Sequence, residues 1–325
     1  RPDSLWKDQE EAINKDVKWL QKYHENFKYV ECPACGSDHY SLEFNKKGFD
    51  YVKCNYCSTV YVNPRPTAKI LKDFYTQSEL YKYWSKNVYS IKAEGRKKFI
   101  FRPRAELLKQ KCVKAGFKGG AILEVGSSSG FFLEEVNKLN FFDKIVGIEL
   151  TPDQAEESRK KGIETHETSY ELFKSTEKFN AIASFETIEH LYSPKDFMLW
   201  ARNNLCSGGY LMISCPNYGG LEPLALTSES ICVDHEHINY FDPNSFRILC
   251  NKTGFNQIEI STPGFLDVEL MANALKENND VSQKLGKFLT NLINTKDEKL
   301  HNDFQNFLQH FNLSSNMLIL ARKAD

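Results

Sequence analysis

The chain has 325 residues, 41% hydrophobic and 26% charged, with a net charge of −1. That is an ordinary globular composition with room for one large domain and a small one. No apolar run approaches the roughly 18 residues that a membrane-crossing helix needs, and no secretory signal is visible. Nine cysteines, four clustered and five scattered, suit a reducing cytoplasm better than a disulfide framework.

Residues 1–27 read as an N-terminal helix, with Trp6, Ile13, Val17 and Leu20 on one face. Residues 28–66 hold "CPACG", short alternating runs and "CNYCSTVYVNP". They predict a small β-rich module whose core is too thin to stand alone. The prolines of "NPRPT" end it. Residues 67–118 read as a helical, basic segment. Between Pro64 and Lys118, fifteen Lys and Arg face four Asp and Glu, so the rest of the chain is acidic. Such an excess reads either as solvated helices or as a surface facing an anion. From residue 119 to 325 strands and helices alternate: "AILEV", "KIVGIEL", "FNAIASF", "GYLMISC", "NQIEIST" and "NMLILAR" are strand-like. This predicts an α/β fold with a doubly wound, mainly parallel, Rossmann-like sheet. A polar helical insertion at 266–313 separates the last two strands.

Cys32, Cys35, Cys54 and Cys57 have the spacing C-x2-C-x18-C-x2-C. Two knuckles supply two thiolates each, the tetrahedral set that structural zinc prefers. A closed four-thiolate site keeps no open position, so the expected Zn2+ ribbon is structural. The other five cysteines read as core residues.

"AILEVGSSSGFF" (121–132) is a strand, a tight turn and a helix start, the outline of a nucleotide-binding unit. Ser128 replaces the glycine that a pyrophosphate requires, and the acid Glu124 sits just before the turn. A carboxylate there would repel a phosphate. S-adenosylmethionine is cationic and carries no phosphate, so Glu124 and Ser128 favour it over a dinucleotide. Glu149 ends the next strand, 23 residues after Gly126, where an acid accepts bonds from ribose hydroxyls.

These segments resemble the class I S-adenosylmethionine-dependent methyltransferases. "LEVGSSSG", "FNAIASFETIEHLYSP" and "LCSGGYLMISCPN" are similar to that family's first-, fourth- and fifth-strand motifs. Ser128, Asn180 and Cys206-Ser207 are the departures. The resemblance implies a seven-stranded sheet with an antiparallel end. It also implies a cofactor site of Glu124, Gly126, Ser127, Ser128, Gly130, Phe131, Glu149, Leu150, Phe185 and Glu186. The ribbon, "NPRPT" and "HEHINYFDPNSF" resemble a narrower bacterial group whose members often act on sugars or surface-glycan precursors.

Two clusters could supply a base for methyl transfer. "ETIEHL" offers Glu189 and His190 after the fourth strand. "DHEHINYF" offers Asp234, His235, Glu236, His237 and Tyr240, with His237 the first choice and Tyr240 the second. Arg96, Arg102 and Arg104, with His235, are the expected contacts to a small, anionic acceptor. An RNA methyltransferase using the ribbon and the basic segment is the alternative. A non-catalytic binding protein is the third reading.

Overall fold

The computed structural model describes residues 3–84, 93–277 and 279–324. The chain begins with α1 (Asp3–Gln21), then β1 (Tyr40–Lys46), β2 (Phe49–Cys54), β3 (Val60–Val62), α2 (Ala68–Gln77) and α3 (Glu79–Trp84). Helix α4 (Ala93–Arg96) continues through a π turn into α5 (Arg102–Lys114). The alternating part follows: β4 (Ala121–Val125), α6 (Phe131–Lys138), β5 (Lys144–Glu149), α7 (Pro152–Lys160), β6 (Glu164–Glu167) and β7 (Phe179–Phe185). After it come α8 (Pro194–Asn204), β8 (Leu205–Pro216), α9 (Leu221–Leu226), β9 (Asn239–Tyr240), α10 (Pro243–Lys252) and β10 (Phe255–Ser261). The chain closes with α11 (Asp267–Glu277), α12 (Asn279–Ile293), α13 (Glu298–His310) and β11 (Asn316–Lys323).

Seven strands form the main sheet in the order β10-β11-β8-β7-β4-β5-β6. Strands β6, β5, β4, β7 and β8 pair in parallel, and β11 pairs antiparallel with both β8 and β10. Every residue of β4 is buried, including the acid Glu124, as expected of a mostly apolar strand covered on both faces. The polar edge strand β6, "ETHE", alternates exposed residues with buried Thr165 and gives no apolar run to read. The α8 start is fixed by Ser193, whose side chain accepts the Asp196 N–H, with Pro194 at the first helical position. A capping box of Asp242 and Ser245 starts α10. The insertion builds its own small core from Val268, Met271, Val281, Ile293 and Leu308 against Leu226.

The N-terminal module is a second sheet, β1-β2-β3-β9. Its fourth strand comes from far along the chain, with Val60 opposite Tyr240 and Tyr61 opposite Asn239. This borrowed strand supplies core that residues 28–66 lack. Arg65, of the segment read only as a terminator, fastens the joint. It is 1% exposed. Its guanidinium donates to the carbonyls of Val62, Tyr192 and Ile238 and to Asn239 Oδ1, at 3.0–3.2 Å. Burial lowers its pKa to about 10, so it stays charged, and the four acceptors offset the desolvation.

Candidate active site

The chain leaves β4 through Gly126 and Gly130, both at φ 74. A Cβ on Gly126 would stand 2.6 Å from Thr187 Oγ1, and one on Gly130 2.4 Å from Ser158 Oγ, so both positions need glycine. Ser128 also takes a left-handed φ of 49. Its N–H donates to Glu149 Oε2 at 2.8 Å, and Glu149 Oε1 accepts from Thr151 N at 2.8 Å. One charge-assisted bond thus helps hold a conformation that costs a serine about 1 kcal/mol.

Glu124 is 3% exposed, and its Oε2 and the neighbouring Ser127 Oγ have no partner. Burial raises the Glu124 pKa well above the carboxylate range, the like charge of Glu149 adds to it, and Arg104 pulls the other way. Burial also raises Glu149, against the backbone N–H groups that it accepts. Two buried acids with an orphan oxygen suit a cationic, hydroxyl-bearing ligand and would repel a pyrophosphate. Phe131 and the 43%-exposed Leu150 lie beside these acids in the chain, at the start of α6 and just after β5. Phe185 ends β7 beneath the Arg104 guanidinium, 4.6 Å from its ring centroid. Glu186, at φ 49, accepts from Ser214 Oγ at 2.6 Å and Asn316 Nδ2 at 3.1 Å.

The three expected arginines separate. Arg104 lies among Phe185, Glu186 and Glu124, with Arg96 close enough to act on its charge. Arg102 instead pairs with Glu135 at 2.8 Å. Lys97 pairs with Glu94 and Glu134, and Lys111 with Glu259. Acids of the remaining chain therefore engage three of the segment's basic residues, Lys97, Arg102 and Lys111.

The two histidine segments do meet. His190 presents Nε2 4.0 Å from Glu189 Oε1, and its ring stands edge-on to His237 at 4.6 Å and to Tyr75 at 5.8 Å. His190 Nδ1 bonds the Glu236 carbonyl at 3.1 Å, and His237 Nδ1 bonds the Cys232 carbonyl at 2.9 Å. A carbonyl partner requires Nδ1–H, which leaves the lone pair on each Nε2. Burial lowers both histidine pKa values, His190 well below its usual range, where His237 adds to the effect. Both are neutral at neutral pH. Glu189 is 1% exposed, neither carboxylate oxygen has a partner, and burial, then Glu186, raises its pKa well above normal. Tyr75 carried no signal in the sequence.

Two expected site residues turn inward instead. The Tyr240 hydroxyl accepts from Asp234 N at 3.0 Å and donates to Asp234 O at 3.3 Å, so its hydrogen-bonding is spent within the loop. His235 is buried between Asp234, bonded to Nδ1, and Asp16 of α1, 3.7 Å from Nε2. Asp16 also accepts from Ser78 Oγ and the N–H groups of Glu79 and Leu80, tying α1 to the start of α3. Burial opposes an imidazolium here, but Asp16 and Asp234 outweigh it and raise the His235 pKa to about 9. Stability from a raised histidine is complete below its unfolded value near 6.5 and is lost as pH rises through 9. Buried Glu236, raised to about 8, loses stability in the same direction from its unfolded value of 4.5 upward. Urea unfolding should therefore show stability falling between about pH 6.5 and 9. His235→Ala should cost about 3–5 kcal/mol at pH 6.5, because it strands buried carboxylates. A flat pH profile in the wild type would refute the pairing.

The four clustered cysteines converge. Sγ of Cys32 lies 3.4 Å from that of Cys57, and Cys35 Sγ 3.5 Å from that of Cys54. All four are buried with their sulfurs within 4.8 Å of one another. Matching turns hold both pairs, Gly36 N to Cys32 O and Ser58 N to Cys54 O. The donor set fits a tetrahedral zinc with Zn–S near 2.3 Å. Among the described residues, no helix is long and apolar enough to cross a membrane.

A family model described as a methyltransferase domain matches residues 93–260. The mitochondrial ubiquinone biosynthesis O-methyltransferase of Candida albicans is 30% identical over 105 residues, covering 30% of this chain and 32% of that protein. The chain thus spans about a third of that relative's length. Among solved structures, the complex of the Haloferax volcanii Trm112 methyltransferase activator with its methyltransferase matches at TM-score 0.51 and 10% identity, over 74% of this chain and 96% of that one. An S-adenosylmethionine-dependent methyltransferase of Thermotoga maritima matches at TM-score 0.45 and 18% identity, over 74% and 97%. The first of these structures supports the fold.

Proposed function

The chain belongs to the methyltransferase-domain family and is an S-adenosylmethionine-dependent methyltransferase; from that premise we propose that its acceptor is a small, hydroxyl-bearing molecule of the sugar class. The observation that carries this reading is the polar cluster of Glu189, His190 and His237, two short segments brought together after β7 and before β9. Two neutral imidazoles and a buried carboxyl group suit a hydroxylated molecule better than a wholly anionic one. The RNA alternative loses support, because Lys97, Arg102 and Lys111 are engaged by acids of the same chain.

S-adenosylmethionine supplies an electrophilic methyl group on a sulfonium. Glu124 and Ser127 take its ammonium end and Glu149 its ribose hydroxyls. Arg104 reaches its carboxylate, because the guanidinium stands beside Glu124. Gly126, Ser128 and Gly130 give close backbone approach. Phe131, Leu150, Phe185 and Glu186 frame the cleft. His237 Nε2 takes the proton from the acceptor's nucleophilic atom. His190 and the protonated Glu189 orient that atom and exclude water. Cys32, Cys35, Cys54 and Cys57 hold a structural zinc.

Glu149→Ala removes a charged acceptor from two hydroxyls, each such bond contributing about 1.5–3 kcal/mol. Calorimetry with S-adenosylhomocysteine should show affinity roughly tenfold to a hundredfold weaker. Unchanged affinity would overturn the cofactor placement. Acceptor turnover that survives high salt separates a sugar from RNA, whose binding falls steeply with ionic strength.

A further inference from the structure

We propose that Glu189, His190 and His237 form a second metal site, for a divalent transition-metal ion of the zinc class, separate from the four cysteines. One ligand atom from each lies within 4.8 Å of the others. The set is two imidazoles and one carboxylate, a combination that binds zinc and leaves a fourth position open. Hard cations such as Mg2+ prefer all-oxygen sets and are excluded.

Three observations support a ligand here over a structural role. Both Nδ1 atoms are held by backbone carbonyls, of Glu236 and Cys232, the outer support that fixes metal-binding imidazoles with Nε2 free. Glu189 is almost fully buried, yet neither of its oxygens has a partner. A buried acid with a structural role is normally satisfied. His237 is partly buried while the other two are fully buried, so the cluster is most open on the His237 side.

The nearby trio Asp16, His235 and Glu236 makes a contrast. Its ligand atoms are equally close, but Asp16 is saturated by Ser78 and two N–H groups, and Ser78 also donates to Glu236. That trio is an ion-pair network and needs no metal. At the proposed site an ion would draw the donors inward to about 2.0–2.2 Å. An acceptor hydroxyl on the open position would lose its proton more readily.

The site rests on the proposed acceptor cluster and replaces one role in it: with an ion bound, His237 Nε2 is a ligand and not a base, and the ion-acidified hydroxyl gives its proton to solvent. Its test reads metal binding alone, so failure here leaves His237's role as base to be judged by turnover. Full-length protein with its cysteines loaded is titrated with Co2+. The expected result is a further equivalent whose spectrum lacks thiolate charge transfer and which Zn2+ displaces. Glu189→Gln should weaken that equivalent by about 10–100-fold, and His237→Ala should abolish it, with circular dichroism confirming the fold. No further equivalent in the wild type, or one that persists at full affinity in both variants, overturns the proposal.

Discussion

Replacing His237 with alanine lowers kcat by about 10²–10⁴-fold, the usual contribution of a positioned base, and leaves S-adenosylhomocysteine affinity unchanged. The ring is partly buried, its Nδ1 is engaged by the Cys232 carbonyl, and in the metal-free protein its Nε2 is free to accept a proton. Burial lowers its pKa, so the competent neutral form is present at neutral pH. The acid limb of kcat/KM should therefore fall below the ordinary imidazole value near 6.5, and it should vanish in the variant. Tyr240→Phe should behave differently. Its hydroxyl bonds the N–H and the carbonyl of Asp234, so its loss loosens the loop and appears first in stability. An unchanged kcat in His237→Ala would remove it from the chemistry.

Cys54→Ser, or exhaustive chelation, should unfold the β1-β2-β3 module. Structural zinc contributes about 10–16 kcal/mol in small zinc peptides, more than so thin a core can supply. The damage should not stop at the module. Strand β9 pairs with β3, and Arg65 holds Asn239, only two residues from His237. The variant should lose one metal equivalent, open residues 28–66 to proteolysis and lose kcat, all without a change at Glu124 or Glu149. A Cys54→Ser protein with wild-type Tm, or no zinc in protein purified without chelator, would refute the zinc assignment.

Much of the main sheet was legible because a strand buried on both faces is mostly apolar, and "AILEV" and "FNAIASF" are, with Glu124, Asn180 and Ser184 as the exceptions. β6 was not, since an edge strand with exposed glutamates has no such run. The glycine turn and the acids around it were readable from spacing, because close backbone approach restricts residue type. The arginines were not. Composition records a charge but not its partner, and Arg102 is claimed by Glu135 from another helix. His235 and His237 lie two residues apart and look equivalent in sequence. Only the arrival of Asp16, from α1, turns the first into a buried cation. Arg65 was hidden between two prolines, because its partners lie more than a hundred residues downstream.

That borrowed strand also orders events in time. A ribosome adds roughly 5–20 residues per second. The cysteines and β3 emerge long before Tyr240, the partner that completes their sheet. The 173 residues between Pro66 and Tyr240 take roughly 10–35 s at that rate. During this interval the thiols are made and the metal can bind, but the Val60–Val62 edge stays open. Zinc captured then would hold the nascent module folded, with one open edge, until its own fourth strand arrives.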